Sequence, residues 1–150
     1  MHVVLCSCAG RRYAISTQHV REVISLVRTT PVPDAPPWLS GLINYHGQLV
    51  PLVDVPCLLG CGPWELRRTC RILVVGAGGG DGSSRRWVGL LVQSVLDCDD
   101  VDFHAGSGRE TIGRGGREFL GPVAVTEDGT VQLIEVVRLT ALLEPQADEA

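Results

Sequence analysis

The chain has 150 residues, enough for one ordinary domain or two small lobes sharing an interface, and its 45% hydrophobic content is too high for disorder beyond the ends. A net charge of −4, a pI near 5.5 and the lack of any long basic run argue against nucleic acid as a partner. Valine occupies 20 positions, with 18 Gly and 9 Pro as punctuation, a composition that favours many short strands over helices.

In chain order, Val3 to Cys8 predicts a strand, Ala9-Gly10-Arg11 a turn, and Tyr13, Ala14 and Ile15 the returning strand of a hairpin. Thr17 is placed to cap a short helix from Gln18, and Glu22 to Val27 predicts another strand. Pro31, Pro33, Pro36 and Pro37 forbid regular structure, and Trp38, Leu39, Leu42 and Ile43 are expected to form a compact apolar cluster behind them. Asn44-Tyr45-His46-Gly47 signals a turn into the apolar run Leu49 to Val55. Pro51 has no N–H for a ladder, so it belongs at an edge or bulge. A helical turn at Cys57, Leu58 and Leu59 should end at Gly60. Arg71 to Val75 and Trp87 to Val95 predict strands on either side of a glycine-rich loop at Gly76 to Ser84. Asp97, Asp99, Asp100 and Asp102 form an acidic, solvent-facing stretch, and residues 104–117 predict a loop. Phe119 to Val125 and Val131 to Val136 predict a hairpin about Glu127-Asp128-Gly129. A helical segment over Val137 to Leu143 and a polar tail from Pro145 follow.

The two halves resemble each other. Gln18-x-Val20-x-Glu22 follows Arg12-Tyr13, as Gln93-x-Val95-x-Asp97 follows Arg86-Trp87. Gly41 precedes a hairpin that closes at Gly47 and runs on to Leu52-Val53-Asp54-Val55. Gly121 precedes one that closes at Gly129 and runs on to Leu133-Ile134-Glu135-Val136. Leu58-Leu59 and Leu142-Leu143 end the two copies. The expected fold is all-β: two small barrel lobes of roughly five strands each, with short helices and a shared apolar interface. Lobe 1 is drawn at 13–70 and lobe 2 at 71–125 of one domain over 1–150, with the terminal segments crossing between lobes.

Few residues promise chemistry. Val74-Val75-Gly76-Ala77-Gly78-Gly79-Gly80 lacks the Gly-Lys-Ser/Thr of a phosphate-binding loop, and the chain has no lysine. Asp81 stands where a dinucleotide fingerprint needs a third glycine. No Gly-x-Ser-x-Gly elbow occurs, and His2, His19, His46 and His104 are scattered. The acidic stretch lacks the calcium-loop glycine and glutamate. Cysteines at 6, 8, 57, 61, 70 and 98 lack zinc-site spacing and are expected as reduced, semi-apolar core residues. Asp54 is assigned a structural or docking role. No apolar run at the start is long enough for a signal peptide or a span, so the protein is expected in the cytosol, and the motifs above offer no enzyme site and no metal site.

Trp38 to Asp54, reading Trp-Leu-Ser-Gly-Leu-Ile-Asn-Tyr-His-Gly-Gln-Leu-Val-Pro-Leu-Val-Asp, resembles the signature of CheW-like chemotaxis coupling proteins. Tyr13 to Glu22, Val88 to Val92 with Val95, Phe119-Leu120-Gly121 and Gln132 to Leu143 extend the resemblance over nearly the whole chain. It implies a pair of SH3-like five-stranded β-barrel lobes acting as a cytoplasmic adaptor in membrane-bound receptor arrays, with neither catalysis nor cofactor. The adaptor would join the regulatory domain of a CheA-type histidine kinase to the cytoplasmic tip of a methyl-accepting chemoreceptor, without inserting into the membrane. By the same resemblance, Val20, Glu22 and His46 match the receptor-facing surface, and Asn44 and Gly47 frame its hairpin. The family usually carries Arg where this chain has His46, and histidine lacks the permanent charge and five-donor fork of arginine. The Asn-Tyr-x-Gly form and Val-Gln-Leu-Ile-Glu-Val look more like coupling proteins of dedicated clusters, such as those controlling surface attachment. The alternative is a sensor domain that binds a small molecule in the groove between lobes.

Overall fold

The computed structural model describes residues 1–77, 86–103 and 118–143. Of the loop expected over Gly76 to Ser84, Gly76 and Ala77 instead belong to a strand, and its remaining residues, the loop expected over 104–117, with His104, and the tail from Pro145 lie outside the described residues. The elements in order are β1 (His2–Cys8), β2 (Arg11–Ser16), β3 (Val20–Ile24), β4 (Leu39–Tyr45), β5 (Gln48–Asp54) and α1 (Val55–Leu58). Then come β6 (Arg71–Ala77), β7 (Arg86–Val92), β8 (Ser94–Asp100), β9 (Leu120–Thr126), β10 (Gly129–Ile134) and α2 (Val136–Leu142).

Two five-stranded sheets result. The first runs β8-β1-β2-β10-β9 and the second β3-β6-β7-β5-β4. Replacing each strand of the first half by its counterpart five places later, and the reverse, turns one order into the other. The repeat in the sequence is therefore a repeat in the fold. Each copy gives its first hairpin to one sheet and its other three strands to the other. The sheets consequently do not divide at 70/71: β6 and β7 pair with β3 and β5, while β1 and β2 pair with β8 and β10. The physical reason is parallel pairing. β5 lies parallel to β7 and β10 parallel to β2, and parallel neighbours need a long crossover that a hairpin cannot supply.

The exchange sets the core. Alternate residues of the central strands face opposite ways. Val3, Leu5, Ala14, Val131 and Leu133 fill the first lobe, and Ile43, Tyr45, Val50, Leu52, Ile72, Val74 and Leu91 fill the second. Between the sheets lie Val4, Cys6, Cys8, Tyr13 and Ile15 of the first with Val53, Leu73, Val75, Val88, Leu90 and Val92 of the second, joined by Val55, Phe119, Val136 and Leu139. Burial on both faces accounts for the unbroken apolar run Ile72 to Val75, which alternation alone leaves unexplained.

Several local expectations change. Ser16, not Thr17, caps the turn Thr17–His19, which is 3-10, through its Oγ and Gln18 N at 3.4 Å. The segment Trp38 to Ile43 is mostly the strand β4 rather than a cluster, because Gly41, Ile43 and Tyr45 alternate inward. The strand expected from Glu22 to Val27 spans Val20–Ile24. The single run Trp87 to Val95 breaks at Gln93 into β7 and β8, so the acidic stretch is the edge strand of the first sheet. Its exposed carboxylates discourage pairing with another chain. Cys6, Cys8 and Cys70 are buried core residues as expected, Cys57 and Cys61 are partly exposed, and Cys98 is exposed on β8.

Gly41 ties the proline segment to the outer edge of β4. Thr30 and Leu42 exchange two backbone hydrogen bonds of 2.8 Å beside it. Its φ is 146°, and a Cβ there would run into the Thr30 carbonyl oxygen and come within 2.7 Å of Thr29 Cγ2. Gly47, by contrast, has φ 84° and nothing within 4 Å of such an atom. Gly41→Ala is therefore expected to destabilise the fold by about 2–4 kcal/mol, combining backbone strain with overpacking. Gly47→Ala, which suffers strain alone, is expected to lose about 1–2 kcal/mol. Urea unfolding of both variants measures the difference, and equal losses would contradict this account of the strap.

Candidate functional site

The β4–β5 hairpin closes through His46 and Gly47, between the facing pair Tyr45 and Gln48. Both loop residues have positive φ, 51° and 84°. That is the signature of the tight turn whose twist matches the strands it joins. Asn44 Oδ1 accepts from Gly47 N at 2.9 Å and stiffens the turn. Pro51 lies in β5, which is interior to the sheet. The parallel ladder to β7 covers only Leu52 to Asp54, so Pro51 stands just beyond it and needs no donor on that side. At the end of the hairpin Asn44 and residues His46 to Leu49 are exposed, while Ile43, Tyr45 and Val50 stay buried in the lobe.

The second sheet curls so that its first and last strands meet. Although β3 and β4 are at opposite ends of the strand order, the Tyr45 hydroxyl donates to Glu22 Oε1 at 2.6 Å, and Arg21 Nε donates to the same hydroxyl at 3.1 Å. The Arg21 guanidinium sits 5.1 Å from the centre of the Trp87 ring on β7. The His46 ring meets Tyr45 edge-on at 4.4 Å, and its Nε2 is 3.9 Å from Glu22 Oε1. Glu22, Asn44, His46 and Gly47 thus gather at one end of the lobe.

Val20 does not join them. The ladder between β3 and β6 shifts between Val20 and Glu22: Val20 faces Val75 and Glu22 faces Val74. Val75 belongs to the inter-sheet core and Val74 to the interior of the second lobe. A β-bulge at Arg21 therefore turns Val20 and Glu22 to opposite faces, although their spacing of two puts them on one face of a regular strand. Val20 is half-buried against the inter-sheet core.

Asp54 has a structural role. Its Oδ1 accepts from Cys57 N at 3.0 Å, capping α1, and from Trp64 Nε1 at 3.1 Å. Glu135 stands at the matching position before α2 without a side-chain cap bond.

Tyr45 and Arg21 are the functional candidates that motif reading missed. The signal for Tyr45 was its place two residues after Ile43, which puts an amphipathic ring inward with its polar tip at the end of the barrel. Burial, and next the bond to the Glu22 carboxylate, push the Tyr45 phenol above its ordinary value of 10.0. Folding thus favours the protonated phenol. That contribution is complete below pH 10, where the unfolded phenol is also protonated, and is lost as pH rises through the folded value. In an ultraviolet titration, the phenolate step that Tyr45→Phe removes is expected above pH 10; a step below it would contradict the bonded, buried hydroxyl.

The chain matches the family model of the CheW-like domain over residues 2–145 and belongs to that family. The chemotaxis protein CheW of Rhizobium meliloti (strain 1021) is 33% identical over 87 residues, 58% of this chain and 52% of that protein. The chemotaxis protein CheW of Bacillus subtilis (strain 168) is 30% identical over 66 residues, 44% and 42% of the two. Protein PilI of Pseudomonas aeruginosa is 35% identical over 66 residues, 44% and 37%. The matched stretches span about half the length of these relatives or less. The crystal structure of the scaffolding protein TtCheW from Thermoanaerobacter tengcongensis superposes with a TM-score of 0.78 at 25% sequence identity, over 89% of this chain and 87% of that one. The two-lobed, SH3-like fold is shared.

Proposed function

We propose that this chain is a non-enzymatic adaptor that couples the cytoplasmic tip of a chemoreceptor to the regulatory domain of a CheA-type histidine kinase. Receptor docking falls on the end of the second lobe where Glu22, Asn44, His46 and Gly47 gather. Val20 contributes from the other face of β3, through its packing under the strand. The observation that carries the reading is the exposed hairpin turn, stiffened by Asn44, on a lobe packed against its partner lobe through a continuous apolar core. Such a body holds two bound proteins in a fixed relation, and a transient interface of modest area needs such pre-arrangement more than extent. The kinase domain takes other edges of the lobes. The adaptor works in the cytoplasm beside membrane-bound receptors; no helix among the described residues is long and apolar enough to cross a membrane. His46 in place of the family's usual arginine suits a dedicated cluster, of the kind that controls surface attachment. A ligand held between the lobes is the less favoured reading, because the inter-sheet face is filled by packed side chains.

His46 stands at φ 51°, a conformation that asparagine adopts at less cost than alanine. His46→Asn is thus the variant that separates docking from folding. Titration calorimetry is expected to show receptor-tip affinity reduced by about 1 kcal/mol, the scale of one net hydrogen bond, with kinase affinity changed much less. Unchanged receptor affinity would remove the imidazole from the site, and equal losses for both partners would trace the effect to the fold.

A further inference from the structure

The two oxygens of Glu22 have different surroundings. Oε1 is held at 2.6 Å by the hydroxyl of a buried tyrosine, and His46 Nε2, at 3.9 Å, is beyond hydrogen-bond reach of it. Among the described residues Oε2 has no hydrogen bond, and the side chain is 48% exposed. Arg21, the cation of this network, directs its Nε–H to the Tyr45 hydroxyl and its guanidinium to the Trp87 ring.

Resting on the docking reading above, we propose that Tyr45 is a positioning residue that fixes Glu22 as an acceptor. The group it receives is a cationic side chain, lysine or arginine, on the receptor tip. A carboxylate pinned through one oxygen keeps the other for a charge-assisted bond, among the stronger contacts available at an interface. A glutamate turning freely on an edge strand would have to be ordered at the moment of binding, whereas this one is ordered beforehand. His46 reinforces the polarity. An arginine at that turn would set a permanent positive charge and five donors beside Glu22, which histidine does not. Arg21 cannot play that part without giving up Tyr45 and Trp87.

The test is calorimetry of the full chain with a receptor-tip fragment at low and high salt, for wild type, Glu22→Gln, Tyr45→Phe and the double variant. Urea unfolding confirms that each variant folds, and a kinase regulatory-domain fragment serves as control. Glu22→Gln is expected to weaken receptor binding about tenfold and to flatten its salt dependence. Tyr45→Phe is expected to weaken it several-fold with the salt dependence kept, since the carboxylate is still charged but no longer placed. In the Glu22→Gln background Tyr45→Phe should add no further loss, which a merely structural role of the ring would not produce. Equal losses from Tyr45→Phe in both backgrounds, or tighter binding by Glu22→Gln, would overturn the proposal. Should Tyr45→Phe fail to fold, Glu22→Asp withdraws the carboxylate from the hydroxyl without touching the core. A several-fold loss then supports the proposal and wild-type affinity overturns it. A wild-type chain that does not bind the receptor fragment at all overturns the docking reading itself, and this inference with it.

Discussion

Leu73, Val75, Leu90 and Val92 of one sheet press against Val4, Cys6 and Ile15 of the other, and every one of them is at most 5% exposed. A lobe of five short strands buries too little surface to be secure alone. Each aliphatic side chain placed in this face contributes about 1.5–3 kcal/mol relative to exposure. The strands that carry it come from both halves of the chain, so neither lobe can be completed without the other. Because β6 and β7 belong to the lobe of β3–β5, and β1 and β2 to the lobe of β8–β10, separating the halves would tear both sheets. The lobes are thus two barrels and one mechanical body.

On that body the second lobe is closed by a small polar device. Its end strands have no continuous ladder between them in the strand order, and the Tyr45 hydroxyl bridges the opening through Glu22 and Arg21. The same bonds that close the barrel aim a carboxylate outward beside the hairpin turn. Packing thus sets up the proposed recognition: inward alternation on β4 buries the tyrosine ring, and the ring's hydroxyl holds the carboxylate. The bulge at Arg21 makes this possible, since without it Glu22 would share the inter-sheet face with Val20.

Much of this was legible in the residues. Period-two valines and leucines marked most strands, and Gly47 and Gly129 marked hairpin turns. The paired order of elements in the two halves marked a repeat that the topology reproduces. What was not legible was non-local. Nothing near Leu52 or Leu133 says that its parallel neighbour is Gly89 or Ala14, so a division at 70/71 followed chain order where the sheets follow exchange. The offset between Val20 and Glu22 depends on how β3 meets β6, and two residues spaced by two look coplanar until the ladder is seen. Tyr45 carries no motif of its own. Its role arises only when an edge strand some twenty residues earlier comes round the barrel to meet its hydroxyl.

The central claim of the proposed function is that one two-lobed body holds a receptor and a kinase at once. The direct measurement is sedimentation velocity of the full chain mixed with a receptor-tip fragment, a kinase regulatory-domain fragment and both together. A ternary species containing all three, at the chain concentration that yields each binary complex, is the predicted result. Competition between the two fragments for one site, or no complex with either, would contradict the account.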